Sequence, residues 1–423
     1  MYLDGRDRYR ERKYVLAIIL LMSTSTSAET SLEHDHCRPK GCRTLTYIYQ
    51  LPPPCSNWNA TSPRAFSEAF GSRDSREASH WRHTGNRALS ALWHFRVQHS
   101  SCRTLCAHAA DLFFVPALTL GGLRLGGLRE IKRSCGDCSA EELERHLIHL
   151  DESTAAKHVL ICPIEHFALA PCIGWWSHPR GLFSRMIRLS FSAVAPASMA
   201  PHLKYMVDKQ SAADLMDIKA FPNLYSLPQP SNVHWGQDPP FNVSRKRPRL
   251  MSFVGSITHG DVEVRRRIAQ QCVALRSLCT WIHIGFGGLT KSLNLVAKVK
   301  LDTIFCLEPA GDTPYRRSIA DSVAVGCIPV YFNNVTDLTG GLLWGPWHND
   351  SRVLLSRDAF LAGRIHIKEL TEISPATVAK MQNLLWSHAA RAFQISDWDD
   401  PKDSVGLMLE MLATRVRVAT QLP

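Results

Sequence analysis

The sequence predicts an α/β fold made of two similar halves, and two observations carry that reading. Short apolar or β-branched runs alternate with helical patterns along most of the chain, the order expected of parallel sheets flanked by helices. The length, 423 residues with 45% hydrophobic content, exceeds the roughly 250–300 residues at which a single core stops growing.

Taken in order, the chain begins with the basic stretch RDRYRERK, the apolar run Tyr14–Met22 and the small polar stretch STSTSAET. That succession is the grammar of secretory targeting. The run is shorter than the about 20 apolar residues that span a bilayer, so residues 1–28 read as a cleaved signal peptide or a short signal anchor. The first half, residues 29–235, carries strand signals at Thr44–Tyr49, Leu112–Val115 and His158–Cys162, with helical patterns at Asn86–His99 and Glu141–Leu150. A Pro-rich stretch at Phe221–Arg249 reads as the linker. The second half, residues 236–380, has strand signals at Leu250–Val254, Thr280–Ile284, Thr303–Leu307 and Ile328–Phe332, and a helix at Asp261–Cys272. Ser374 as N-cap with Pro375 behind it opens a further helix, and residues 381–423 complete the chain as C-terminal helices.

Charge and cysteines narrow the class. A formal net charge of +11 suits an anionic partner such as nucleic acid, phospholipid or a nucleotide sugar. The basic knots at Arg6–Lys13, Arg245–Arg249 and Arg265–Arg267 lack the interleaved aromatics of a nucleic-acid groove, so no nucleic-acid partner is expected. Thirteen cysteines agree with an oxidising compartment, and the short loops Cys37 to Cys42 and Cys135 to Cys138 can close locally. Sequons at Asn59, Asn242 and Asn349 suit lumenal glycosylation. A fourth, at Asn334, follows a strand beside the expected ligand cleft and is set aside.

The stretch FCLEPAGDTPYRRSIADSVAVGCIPVYF, Phe305–Phe332, reads as strand, turn, helix and strand. Asp312 or Thr313 can cap a helix with Pro314 in its first turn, and Gly326 can end it. Arg316 and Arg317 then stand in the first turn, where cations oppose the helix dipole unless an anion binds there. The alternative is an Arg317–Asp321 pair on a solvated helix face.

Residues Phe305-Cys306-Leu307, Pro309, Gly311-Asp312, Arg316-Arg317-Ser318, Asp321-Ser322 and Gly326-Cys327-Ile328-Pro329-Val330 resemble the signature of exostosin-family glycosyltransferases. Within that family the stretch is most similar to the plant xyloglucan galactosyltransferase branch. Weaker echoes in the family's order lie at Tyr47–Pro53, Ala110–Ala117, Lys157–Ile161 and Arg247–Ser256, whereas Pro163–Ala200 departs from the pattern. The resemblance implies the GT-B architecture, with a Rossmann-like acceptor domain and a Rossmann-like nucleotide-sugar domain facing across a cleft. It also implies inverting transfer from a UDP-sugar, galactose or a related sugar, to an acceptor glycan in the Golgi, by a single-pass type II membrane protein or a secreted chain.

By the same resemblance Arg316 and Arg317 neutralise the donor diphosphate, Ser318 adds a hydroxyl, and Gly255, Ser256, Gly311 and Asp312 let backbone approach phosphate. Asp321 or Glu308 takes the ribose hydroxyls, with pairing along the helix as the alternative. Glu165 and His166, just past the strand His158–Cys162, are the candidates for the general base. The carboxylates of Asp397-Trp398-Asp399 and the EHDHC stretch Glu33–Cys37 read as cap and stem. No obligatory protein-bound metal or cofactor is expected; any divalent cation would be held by the donor and not by side chains. A family member without catalysis, serving as partner subunit or glycan-binding module, is the alternative function.

Overall fold

The computed structural model describes residues 37–53, 55–56, 59–70, 81–82, 84, 88–116, 138–162, 180–191, 223–235, 241–285, 293–311, 316–334, 336, 345–389, 393–396 and 400–421. Two sheets, parallel throughout, form its frame. The first holds β1 (Thr46–Ile48), β2 (Arg103–Thr104), β3 (Leu112–Val115), β4 (His158–Cys162), β5 (Ile187–Phe191) and β6 (Leu224–Leu227) in the order β2-β1-β3-β4-β5-β6. The second holds β7 (Arg249–Val254), β8 (Cys279–Ile282), β9 (Thr303–Leu307), β10 (Ile328–Tyr331) and β11 (Val353–Leu354) in the order β11-β10-β9-β7-β8. Strands such as β3, LFFV, are buried along their whole length, as parallel strands covered on both faces must be. Two parallel α/β sheets are the plan of the GT-B architecture.

Helices cover the sheets: α1 (Ala65–Phe70), α2 (Leu89–Gln98) and α3 (Ala140–His146) in the first half, then α4 (Val262–Ala274), α5 (Leu293–Leu301), α6 (Arg317–Ala324), α7 (Arg357–Leu361), α8 (Pro375–Leu384) and α9 (Ser404–Gln421). Local chemistry starts several of them. Ser139 caps α3, Asp261 caps α4, and Ser374, followed by Pro375, caps α8, each side chain accepting from a backbone N–H inside its helix. Although last in sequence, α9 returns to the first half. Arg96 of α2 donates Nε to Asp403 at 2.9 Å and Nη2 to the Asp400 carbonyl at 2.6 Å, and both charged side chains of that pair are buried.

Three expectations are corrected here. The stretch read as a linker, Phe221–Arg249, contains β6 and then a strap, residues 228–235, that is buried from end to end. Pro228 and Pro230, with the polar Gln229, Ser231 and Asn232, mimic linker composition; their burial comes from tertiary contacts that composition does not encode. The short cysteine loops do not close on themselves: Cys37 pairs with Cys106, Cys42 with Cys102 and Cys55 with Cys138, so sulfurs distant in sequence staple the first half. Finally, α6 starts later than its turn residues suggest. Arg316 is the extended N-cap residue, with no side-chain cap, and Arg317 is the first helical residue; Gly326, at φ +68°, follows the C-terminus as expected.

Candidate functional site

In the second sheet the strand order reverses between β7 and β9: β8 lies to one side of β7, while β9, β10 and β11 run away on the other. A crevice outside the carboxyl ends at such a switch point is where open α/β sheets take their ligands. The loops leaving β7 and β9 meet there. Arg265 of α4 joins them, donating Nη1 to the Ser256 carbonyl at 2.9 Å, Nε to the Ala310 carbonyl at 2.9 Å and Nη2 to the Pro309 carbonyl at 3.1 Å. The guanidinium is buried, so three charge-assisted bonds hold Gly255–Ser256 and Pro309–Gly311 as one surface. Asp261 at the start of α4 is in turn gripped by Arg357 through bonds of 2.7 and 3.1 Å.

Glycines set how closely this surface packs. Gly260, at φ +76°, lies so near the backbone of Gly311 that a Cβ on it would overlap the main chain. A Cβ on Gly311 would overlap the guanidinium of Arg316, so Arg316 lies flat across the loop at the entrance to α6. A helix N-terminus, an arginine and a glycine loop thus share one spot, an arrangement suited to an anion. Immediately behind it, the Cys306–Cys327 disulfide ties the end of β9 to the residue before β10.

Arg317 departs from its expected partner. Its Nη1 donates to the main-chain carbonyl of Thr84 in the first half, and its backbone N–H donates to Gln229 Oε1 of the strap at 2.7 Å. Burial pushes its pKa down, with Asp321 opposing the shift. Asp321 likewise does not await a ribose. It is 3% exposed, and its Oδ1 accepts from Ser231 Oγ at 2.8 Å and the Asn232 N–H at 2.7 Å, while Oδ2 accepts from Asn232 Nδ2 at 2.9 Å. Both carboxylate oxygens are committed to the strap. The solvated Arg317–Asp321 pair is therefore not formed either.

Glu308, 5% exposed, is bonded beneath the loop surface. Its Oε1 accepts from Lys300 Nζ at 2.7 Å, Ser322 Oγ at 2.6 Å and Ser318 Oγ at 3.1 Å. Lys300, 2% exposed at the end of α5, also donates to the Ser318 carbonyl at 2.8 Å, so Ser318 is fixed from two sides. This network was not legible beforehand, because Lys300 closes an apolar helix and carries no local sign of a partner eight residues ahead. Arg265 and Gln229 were missed too; the first showed only as part of a basic knot, and the second had no signal. Ser256 does stand at the loop surface, half-buried, its Oγ on Thr258 Oγ1 at 2.8 Å. Asp312, Glu165, His166, Asp397 to Asp399 and Glu33 to His36 lie outside the described residues. Among the described residues the two clusters of possible metal ligands, around Cys37 and Cys55, each consist of a disulfide and one neighbour, so their sulfurs already bind each other.

Residues 194–340 match the Exostosin GT47 domain. That stretch is what the chain shares with exostosin GT47 domains. It spans β6, the strap and the second sheet through β10, and so contains every described residue of the crevice from Gly255 to Asp321. The chain is 27% identical over 322 residues to xyloglucan-specific galacturonosyltransferase 1 of Arabidopsis thaliana, covering 70% of this chain and 44% of that relative. It is 25% identical over 458 residues to probable xyloglucan galactosyltransferase GT17 of the same plant, covering 98% of this chain and 93% of the relative. The match thus spans under half of the first relative's length and nearly all of the second's. Among solved structures, the GtfA/B complex aligns at a TM-score of 0.34 and 12% identity over 66% of this chain and 60% of that one.

Proposed function

We propose that the chain is an inverting glycosyltransferase that moves galactose or a related sugar from a UDP-sugar to a hydroxyl of an acceptor glycan, in cell-wall, matrix-polysaccharide or glycoprotein synthesis. The observation that carries this is the overlap of Arg316, Gly311 and the start of α6 at the switch point of the second sheet. The donor diphosphate sits there, and Arg316 answers the charge that grows on it as the sugar leaves. Ser318, held by Lys300, adds a fixed hydroxyl, and Glu308 offers its second oxygen to the ribose. A base from the first half takes the proton of the acceptor hydroxyl, whose oxygen attacks the anomeric carbon as the bond to UDP breaks on the opposite face. Glu165 and His166 remain its candidates, by their place after β4.

Incubating the purified chain with a panel of UDP-sugars, alone and with oligosaccharide acceptors, and reading products by mass spectrometry tests this. Sugar transfer or donor hydrolysis with one UDP-sugar is expected. Binding of an acceptor glycan without turnover of any donor would favour the inactive-family-member reading.

We further propose that the chain resides in the Golgi lumen, anchored through residues 1–28 as a type II protein or secreted after cleavage. Asn59, Asn242 and Asn349 are all exposed, as glycan acceptors must be. Expression in a secretory host should give a band that shifts on glycosidase treatment, and an unshifted band would count against lumenal residence.

A further inference from the structure

The first sheet carries a concave site on one face, near its β2 edge and the loop that precedes β4. In register across three strands, Tyr47 of β1 stands beside Phe113 of β3 and Phe113 beside His158 of β4. These rings share a face: Phe113 stacks on His158 at 4.7 Å, and Tyr47 meets Phe113 at 5.8 Å. His149, from the loop before β4, meets Tyr47 at 5.1 Å with the ring planes at 90°, so the two half-buried rings form a corner above the Phe113 floor. The hollow beside them has a volume of about 560 Å³ and is bordered by Leu105 and Ile148, exposed by 80% and 75%. Asp151 supplies its polar edge. The carboxylate accepts on Oδ1 from the N–H and Oγ of Ser153 and from the N–H of Thr154, at 2.6–2.9 Å. These bonds, the Ser153 hydroxyl foremost, hold its pKa down to about 2.

We propose that this hollow is a second carbohydrate-binding site, which takes a pyranose unit of a glycan chain outside the crevice of the second sheet. A pyranose ring presents two apolar C–H faces and a rim of hydroxyls. Its polarised C–H bonds suit the electron-rich faces of Tyr47 and His149, its apolar edges suit Leu105 and Ile148, and its hydroxyls suit an ionised acceptor whose described bonds all fall on one oxygen. A mostly apolar lining with few fixed polar groups, in a hollow of 300–1,000 Å³, is the usual form of a small-molecule site. Its lining comes from β1, β3, the segment after β2 and the loop before β4, none of which contributes to the crevice of the second sheet. For a chain acting on a polymeric acceptor, as proposed above, a second grip on the same polymer raises the local concentration of acceptor ends at the crevice. Only that purpose rests on the proposed transfer; the binding itself does not.

The test is affinity gel electrophoresis of the full chain in gels containing soluble xyloglucan, arabinan, galactan or heparan sulfate, with UDP affinity measured in parallel by calorimetry. Wild type should be retarded by at least one polysaccharide. Retardation should be lost in His149→Ala, and also in Tyr47→Leu, which keeps apolar volume in β1 while removing the ring; UDP affinity should be unchanged in both. Retardation by none of the four polysaccharides overturns the site, as does retardation that survives both substitutions. Retardation in a chain that neither binds UDP nor turns over a UDP-sugar would leave this site standing and remove the donor reading alone.

Discussion

Arg317, the first residue of α6, donates its guanidinium Nη1 to the carbonyl of Thr84 in the opposite half of the molecule. The neighbouring Arg316 lies over Gly311 at the crevice. Two adjacent arginines that look alike in sequence therefore take separate places, one joining the halves and one lying across the glycine loop of the crevice.

This division predicts different phenotypes. Arg316→Ala should weaken UDP binding by one to two decades, from the about 1.5–3 kcal/mol of a hydrogen bond to a charged group, with little change in Tm. Gly311→Ala should reproduce it, because the added Cβ displaces the guanidinium and not the backbone. Arg317→Ala should instead lower Tm and cost about 1–3 kcal/mol of stability, by leaving the Thr84 carbonyl without its partner. Calorimetric UDP affinity and thermal melts on the three variants check this. A well-folded Arg317→Ala that loses UDP binding as Arg316→Ala does would return both arginines to the diphosphate.

Asp321 holds the strap through three bonds, so Asp321→Ala should destabilise the chain by about 3 kcal/mol or more, as buried donors on Ser231 and Asn232 go unpaired. Asp321→Asn should fare little better, since one amide oxygen cannot replace two carboxylate oxygens. Urea unfolding gives the numbers, and hydrogen exchange at the Asn232 amide should accelerate in both. A stability loss under about 0.5 kcal/mol would mean the strap is held by other contacts.

Lys300 and Glu308 form a buried pair, and removing one member of such a pair typically costs about 3–5 kcal/mol because the other charge is left uncompensated. Lys300→Met should therefore lower stability by this order. Lys300→Met combined with Glu308→Gln should recover much of it. Denaturation of the single and double variants forms a cycle whose coupling term is the measurement; an additive cycle would contradict the pair.

Two buried histidines give the stability a pH dependence. Burial lowers the pKa of His158, stacked on Phe113 and bonded to Tyr49, to about 4, and that of His94 to about 3. In the unfolded chain each takes a proton near pH 6.5, whereas the native fold excludes it until the lowered pKa is reached. The unfolded state binds more protons in that window. Stability from His158 is thus fully present above about pH 6.5 and is lost as pH falls towards 4, at up to about 1.4 kcal/mol per pH unit. His158→Gln should flatten this slope relative to wild type in urea titrations at pH 7, 6 and 5, and an unaltered slope would assign the acid sensitivity elsewhere.

Much of the fold is legible in the sequence. Leu112–Val115, His158–Cys162 and Thr303–Leu307 form strands within the bounds their apolar runs suggest, and the Ser374–Pro375 start of α8 falls where the caps place it. These signals are local: a fully buried strand must be apolar along its length, and a helix start needs a side-chain acceptor. Strands β2 and β11, two residues each, are too short for any periodicity, and β6 was hidden among prolines.

The sequence by itself determined the alternation of strand and helix, and a helix between the strands Thr303–Leu307 and Ile328–Tyr331 that ends before Gly326, because each depends on residues close together along the chain. Where that helix starts, which arginine reaches the opposite half, which carboxylates are already bonded, and which cysteines meet were decided only by tertiary structure. The physical reason is that the partners of Arg317, Asp321 and Cys55 lie 233, 89 or 90, and 83 residues away. A side chain's chemistry states what it can bond; only the folded chain determines which of the possible partners comes within 3 Å.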